Sequence, residues 1–166
     1  MYDLQSKIVL IVGGTDGIGL AAAKAFAAED AVLVLAGRNT EKGRRAKEAL
    51  NSLGREATFI QCDVGDPSAV DKLLNLTIKQ FGKVDCAVNS AGYDFKPSRA
   101  HDLQSQSVSD QLAIDFTGTF SCMRAEVTAM LPRGCGTIVN VASTTGLTGA
   151  PTAALYSAAM STPIEN

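Results

Sequence analysis

The chain has 166 residues, of which 46% are hydrophobic and 19% are charged, and its formal net charge is −2. This length suits a single domain with a sizeable core, and so small a charge argues against nucleic acid as a partner. The four cysteines lie far apart and form no CxxC or His/Cys cluster, so we expect neither a metal site nor a disulfide framework.

The first predicted elements are a strand and a helix joined by a glycine-rich turn. The run Ile8–Val12 is apolar and predicts a short buried strand. Because this first apolar run is too short for a signal peptide, we expect a cytoplasmic protein with no membrane partner. The helix predicted after the turn has a stripe of apolar residues along one face: Ile18, Ala21, Ala22, Ala25 and Phe26.

The turn itself has the features of a dinucleotide-binding loop. Its glycines suit a backbone that bends sharply, approaches a phosphate closely and then begins a helix whose positive end faces that charge. We assign the sharp turn to Gly13, the close approach to Gly17 and the packing of the helix on the sheet to Gly19. A loop that merely turns is the alternative, and the strand before it and the helix after it favour the nucleotide. The predicted cofactor contacts here are Gly13, Thr15, Asp16, Gly17, Ile18 and Gly19.

Strand-like and helix-like segments alternate along the rest of the chain. This alternation predicts an α/β fold, a doubly wound parallel sheet (Rossmann fold) of about five strands. Ligands of such sheets bind beyond the carboxyl ends of the strands, so the loops after residues 12, 36, 61 and 88 should meet there. The further predicted strands are Ala31–Ala36, Ala57–Gln61, Val84–Val88 and Thr137–Ala142; the further helices are Thr40–Leu53, Pro67–Phe81 between Asp66 as cap and Gly82 as stop, and Leu103–Met130.

Several separate motifs make the chain resemble the short-chain dehydrogenase/reductase family, from about residue 5 to residue 159. The turn Val12–Gly19 is similar to the family's TGxxxGxG loop, with valine where threonine is usual. Asp63-Val64 matches the family's adenine-contacting pair, and Asn89–Gly92 matches its NNAG motif with one change. Ser143 and Tyr156 lie thirteen residues apart, as the family's catalytic serine and tyrosine do.

The resemblance implies an enzyme that interconverts a small-molecule alcohol and a carbonyl with a nicotinamide dinucleotide. In the family, the tyrosine exchanges a proton with the substrate oxygen and the serine hydroxyl holds that oxygen in place, which assigns these roles to Tyr156 and Ser143. It also implies further cofactor contacts at Asp63, Val64, Asn89, Ala91 and Gly92.

The end of the second predicted strand bears on the choice of dinucleotide. An acidic residue there would bind a ribose 2′-hydroxyl, but this chain has Gly37, followed by Arg38. Because a guanidinium suits a 2′-phosphate, we favour NADP, with NAD as the alternative. Asp16 weighs mildly the other way, since many NADP-preferring members of the family have a basic residue at that position.

Two residues of the proton relay depart from the family pattern. The family has lysine four residues after the tyrosine, where this chain has Met160. A nearby ammonium lowers the pKa of a phenol, ordinarily near 10, so its loss predicts slower proton transfer. Asp115 replaces an asparagine that anchors a water beside that lysine. We therefore predict Ser143, Tyr156 and Asp115 as the catalytic set of an impaired enzyme. The alternatives are an inactive dinucleotide-binding or partner-binding module and an unstable fragment.

The chain is also short for the resemblance, because the doubly wound sheet normally has at least six strands. We expect the usual C-terminal strands to be absent, and Thr162-Pro163 to end the helix near Tyr156 after one or two turns. The fifth strand then becomes an apolar edge, and the long helix exposes part of one face. Either surface could join copies of the chain in a homo-oligomer.

Overall fold

The computed structural model describes residues 4–93 and 95–161, so the predicted helix end at Thr162-Pro163 lies outside the described residues. The strands are β1 (Ile8–Val12), β2 (Val32–Gly37), β3 (Ala57–Gln61), β4 (Cys86–Asn89) and β5 (Thr137–Asn140). Within the described ranges they form one parallel sheet in the order β3-β2-β1-β4-β5. The order reverses between β1 and β4, which confirms the predicted doubly wound sheet.

The helices cover both faces of this sheet. They are α1 (Gly17–Ala28), α2 (Thr40–Asn51), α3 (Pro67–Phe81), α4 (Ser105–Gln111), α5 (Thr119–Met130) and α6 (Ala154–Ser161), with a π-helical segment (Leu112–Gly118) that makes α4 and α5 one continuous run. Each sheet face has its own core. Leu33 and Leu35 pack with α1 and α2, whereas Leu10 and Val12 pack with α3 and α5.

Helix α3 has the predicted bounds for the predicted reasons. Asp66 caps it by accepting a hydrogen bond from the backbone N–H of Ser68, and Pro67 occupies the first turn. Gly82 ends it with a left-handed backbone at φ 76°.

The apolar stripe predicted for α1 is not the face that is buried, although Phe26 packs partly against the core. Ile18 is 64% exposed, and the buried residues are Gly19, Ala23 and Ala27. Alanine lies on every side of this helix, so its apolar spacing fits more than one face. The close packing of Gly19 against the preceding turn selects the one that is buried.

Strand β4 begins at Cys86, two residues later than predicted, because Asp85 fastens the strand to β1 instead. Its carboxylate accepts hydrogen bonds from the backbone N–H of Ile8 at 2.9 Å, from Lys83 at 2.8 Å and from Arg133 at 2.9 Å. Burial opposes the charge, but these hydrogen bonds hold the pKa of Asp85 at about 2. Strand β5 ends at Asn140, two residues earlier than predicted. The long helix begins at Ser105, two residues later than predicted.

Within the described residues, β5 is an edge of the sheet and α5 presents an apolar face to solvent. Val139 on β5 is 51% exposed. Phe116, Phe120 and Val127 along the long helical run are also exposed. The expected exposure of both surfaces is therefore confirmed for this part of the chain.

Candidate nucleotide-binding site

The loops that follow β1, β2, β3 and β4 meet in a cleft of about 570 Å³ at the carboxyl end of the sheet. This is where the doubly wound fold places its ligands, and the meeting of these four loops is what the strand order predicts. The lining consists of Val12, Gly13, Thr15–Ile18, Gly37–Asn39, Lys42, Cys62, Val64, Ser90–Gly92 and Ile114.

The glycine loop is built so tightly that three of its positions, Gly13, Gly14 and Gly19, leave no room for a side chain. Gly13 has φ 79°, and a Cβ there would lie 2.5 Å from the backbone nitrogen of Ala91. A Cβ on Gly19 would overlap the carbonyl oxygen of Gly13. At Gly17, by contrast, the space beside the backbone is open, at the N-terminus of α1. An incoming phosphate therefore has clear access to the helix terminus there, which fits the proposed dinucleotide.

Asp16 caps α1 and is paired with a lysine from the first turn of α2. Its carboxylate accepts hydrogen bonds from the N–H of Gly17 at 2.8 Å and from Nζ of Lys42 at 2.9 Å. The Lys42 ammonium, and then the Gly17 N–H, lower the pKa of Asp16 below its ordinary value. The negative charge in the glycine loop is therefore matched by a positive one.

The end of β2 presents a cation to the cleft where an acidic residue would favour NAD. A Cβ on Gly37 would lie 3.1 Å from Oγ1 of Thr15, so a carboxylate at this position would crowd the glycine loop. Arg38 is exposed and lines the cleft. Across residues 4–93 and 95–161, no carboxylate lies within 4.0 Å of its guanidinium.

Three of the predicted cofactor residues do not line the cleft. Gly19 lies behind Gly13 and supports it. Asp63 turns into its own loop, where its carboxylate accepts a hydrogen bond from the N–H of Gly65 at 3.0 Å. Asn89 is buried beneath the end of β4. The others lie where the sequence predicts a cofactor: Gly13, Thr15, Asp16, Gly17, Ile18, Arg38, Val64, Ala91 and Gly92.

Asn89 belongs to a buried polar network instead. Its side-chain amide donates to Oε2 of Glu126 at 3.0 Å and to Oδ1 of Asn140 at 2.9 Å, which ties β4 to α5 and β5. Glu126 is 0% exposed, and burial raises its pKa to about 7 against the opposing hydrogen bond from Asn89. The network thus holds a carboxyl group that has no cation within 4.0 Å among residues 4–93 and 95–161, directly below the strand end whose loop lines the cleft.

The predicted catalytic serine and tyrosine lie on the segments that follow β5. Ser143 caps a short turn, Thr144–Gly146, and its Oγ accepts a hydrogen bond from the Thr145 hydroxyl at 2.9 Å. Tyr156 is half-buried in α6, where its ring packs against Phe95 with centroids 4.9 Å apart. In the described part of the chain, no hydrogen bond joins the side chains of Ser143 and Tyr156. Their shared catalytic role stays a prediction.

Met160, which stands in place of the family's lysine, is buried on α6. Its carbonyl oxygen lies so close to Gly146 that a Cβ there would overlap it. Helix α6 is thereby held against the turn that Ser143 caps.

Asp115 lies inside the π-helical segment and fastens it to the loop after β4. Its carboxylate accepts hydrogen bonds from the N–H of Tyr93 at 2.6 Å and from the side-chain amide of Gln111 at 3.2 Å. Burial raises the pKa of Asp115, against the two hydrogen bonds. Interruptions of this kind occur often at functional sites, and here the contact orients the backbone next to Gly92.

The sequence-based assignment missed several residues that line the cleft, above all Lys42. Its signal was its place in the first turn of the predicted helix, shortly after Arg38. Asn39, Ser90 and Ile114 were missed as well, although Ser90 lies within the Asn89–Gly92 motif.

Neither a membrane-spanning helix nor a metal centre is present in the part of the chain that the structure describes. Its helices are too short or too polar to cross a bilayer. Its His, Cys, Asp and Glu side chains form no group of three that could hold a metal ion.

Comparison with known proteins links this geometry to one family. A family model described as short chain dehydrogenase matches residues 7–161. A 3beta-hydroxysteroid dehydrogenase of Mediterraneibacter gnavus is 38% identical over 156 residues, which are 94% of this chain and 56% of that protein.

Two solved structures show the same arrangement of the chain. An NAD⁺-bound xylitol dehydrogenase superposes with a TM-score of 0.92 at 31% identity, over 96% of this chain and 62% of that one. An actinorhodin polyketide ketoreductase variant with NADPH gives a TM-score of 0.90 at 33% identity, over 94% of this chain and 60% of that one. The chain thus spans 56% to 62% of the length of these three relatives.

Proposed function

Because this chain belongs to the short-chain dehydrogenase family, we propose that it is a cytoplasmic oxidoreductase that interconverts an alcohol and a carbonyl with NADP. The observation that carries the proposal is the cleft where four loops meet around a glycine turn that leaves no room for a side chain at Gly13 or Gly14. The relatives bound to NAD⁺ and NADPH support a nicotinamide dinucleotide as the cofactor. Arg38, free of any carboxylate partner among the described residues, supports NADP over NAD.

The residues of this chain divide between holding the cofactor and moving a proton. The open space at Gly17 and the amide groups of the α1 terminus would hold the diphosphate. The bound nicotinamide would supply or accept the hydride. We assign to Ser143 the holding of the substrate oxygen and to Tyr156 the proton transfer to or from it. Asp115 orients the loop beside them through Tyr93.

We expect slow oxidation of NADPH by the purified chain with at least one ketone of a diverse panel, followed by absorbance of the reduced cofactor. Tyr156→Phe should lower the rate at least about 100-fold, because it removes the transferred proton. Met160→Lys should raise kcat about tenfold to a thousandfold by restoring a cation one helical turn from the tyrosine. Met160→Leu is the matched control and should leave the rate unchanged. No turnover by any folded variant would reject the enzymatic proposal.

A second candidate is a protein that binds the dinucleotide without chemistry. The buried, apolar Met160 in place of a lysine favours it. Calorimetric titration with NADPH and NADH distinguishes the two: heat of binding without turnover supports this candidate, and no heat with either dinucleotide rejects it.

We further propose that the chain forms a homo-oligomer through the long helix or the β5 edge, and we test the helix first. Light scattering after gel filtration should give a mass of at least twice 17.3 kDa. Phe120→Glu should shift the mass to that of a monomer, because it places a charge on the apolar face. The control is Leu53→Glu, since Leu53 is as exposed as Phe120, at 58%, but lies beyond α2. A monomeric wild type would contradict the proposal.

A further inference from the structure

We propose that Lys42 and Asp16 act as a charge pair that selects dinucleotides with a 2′-phosphate over those without one. The inference rests on the proposed function, in that the cleft must bind a dinucleotide. It makes Lys42 a specificity-determining residue that a phosphate would draw away from Asp16.

The pair lies where the adenosine ribose would be read. Lys42 is in the first turn of α2, just after the end of β2, and Asp16 is in the glycine loop. Their charged atoms are 2.9 Å apart, both side chains are more than half exposed, and both line the cleft with Arg38. The end of the second strand is where this fold reads the ribose 2′ position. A phosphate at that position would therefore approach Arg38 and Lys42 together.

The charged side chains that line the cleft at this corner leave a net positive rim, while Asp63 and Asp66 line a neighbouring cavity that also includes Arg38. Glu41, the nearest other acid on α2, is already paired with Arg44 at 2.8 Å and with Arg45 at 3.0 Å. Asp16 therefore offsets one of the two cleft cations, Arg38 and Lys42, and the other stays in excess. An anion of more than one charge is the ligand that this rim suits.

An exchange of partners follows from the hydrogen-bonding capacity of the pair. The ammonium of Lys42 has three donors, so it can bind a phosphate before it releases the carboxylate. A phosphate monoester carries about 1.5 to 2 negative charges near neutral pH, more than the single charge of Asp16. The Asp16 carboxylate stays in place meanwhile, because the N–H of Gly17 also holds it. A nucleotide with a free 2′-hydroxyl offers no such charge, and Lys42 then remains on Asp16.

The test measures binding of 2′,5′-ADP and of 5′-AMP by calorimetry in wild type, Lys42→Gln and Asp16→Asn. Lys42→Gln should weaken 2′,5′-ADP about tenfold and change 5′-AMP less than about twofold. Asp16→Asn keeps a capping oxygen and removes the competing charge, so it should strengthen 2′,5′-ADP by about threefold. The matched control is Lys47→Gln, because Lys47 is an exposed lysine of α2 outside the cleft. This variant should bind both ligands with the affinity of the wild type.

The results distinguish a failure of the role of Lys42 from a failure of nucleotide binding by the cleft. Equal effects of Lys42→Gln on both ligands, or no effect on either, would overturn the role of Lys42 while the cleft remains a nucleotide site. If the wild type unfolds cooperatively but binds neither ligand, the proposed function fails, and this inference fails with it.

Discussion

Gly19→Ala should destabilise the fold by about 3 kcal/mol or more and abolish nucleotide binding. The added Cβ would overlap the carbonyl oxygen of Gly13. That carbonyl cannot move away cheaply, because the N–H of Gly13 donates to the carbonyl of Ala36 at 2.9 Å and its Cα faces the backbone at Ala91. Urea unfolding followed by circular dichroism measures the change in the free energy of unfolding.

Two other glycines provide the controls. Gly54 has φ 74° but open space, so Gly54→Ala should cost only the strain of a left-handed alanine, about 1–2 kcal/mol. Gly149 has open space and no left-handed backbone, so Gly149→Ala should be close to neutral. A Gly19→Ala variant no less stable than Gly54→Ala would show that the turn can relax, contrary to the packing described above.

The pH dependence of stability should be dominated by Glu126. Its pKa is about 7 in the folded chain against 4.5 ordinarily, so the folded state holds its proton more tightly than the unfolded state. The stabilisation is complete below about pH 4.5 and is lost as the pH rises through 7. The shift corresponds to about 3 kcal/mol over that window. Glu126→Gln cannot ionise, so the variant should match the wild type near pH 5 and exceed its stability near pH 8.

Neighbouring titratable groups do not obscure the difference in stability between wild type and Glu126→Gln. Burial, and then the charge of Glu126, raise the pKa of the Cys122 thiol, so that thiol stays protonated across the window. Burial raises the pKa of Asp115 too, and its contribution of the same sign remains in both proteins. Glu29→Gln, at an exposed glutamate, is the matched control for the same substitution at the surface. If the stabilities of wild type and Glu126→Gln changed in parallel between pH 5 and 8, the raised pKa of Glu126 would be contradicted.

Much of the fold could be predicted because its signals are local. The apolar runs of β1 and β3 have the predicted bounds, and Asp66, Pro67 and Gly82 mark α3 without reference to any other segment. The face of α1 could not be predicted, since alanine is tolerated on every side and a contact with Gly13 decides which side is buried.

The candidate site divides in the same way. The glycine loop and Arg38 could be placed from the sequence because strand ends and turns fix them. The side chains of Asn89 and Lys42 could not, because their directions depend on partners from distant segments, Glu126 and Asp16. No pattern of residue spacing in a single sequence predicts the Asn89–Glu126 or the Lys42–Asp16 contact.

The fastening of β4 to β1 determines when the cleft can exist during folding. Ile8 pairs with Val32 of β2 nearby in sequence, but its N–H also binds the Asp85 carboxylate, 77 residues further on. Closing so long a loop costs chain entropy that must be spent before the contact stabilises anything. The backbone of Ala91, which follows β4, packs against Gly13 and forms one wall of the cleft. A nascent chain with only its first three strands in place therefore has the glycine turn but lacks that wall. We therefore expect the cleft to form late in folding, when the second half of the sheet docks on the first.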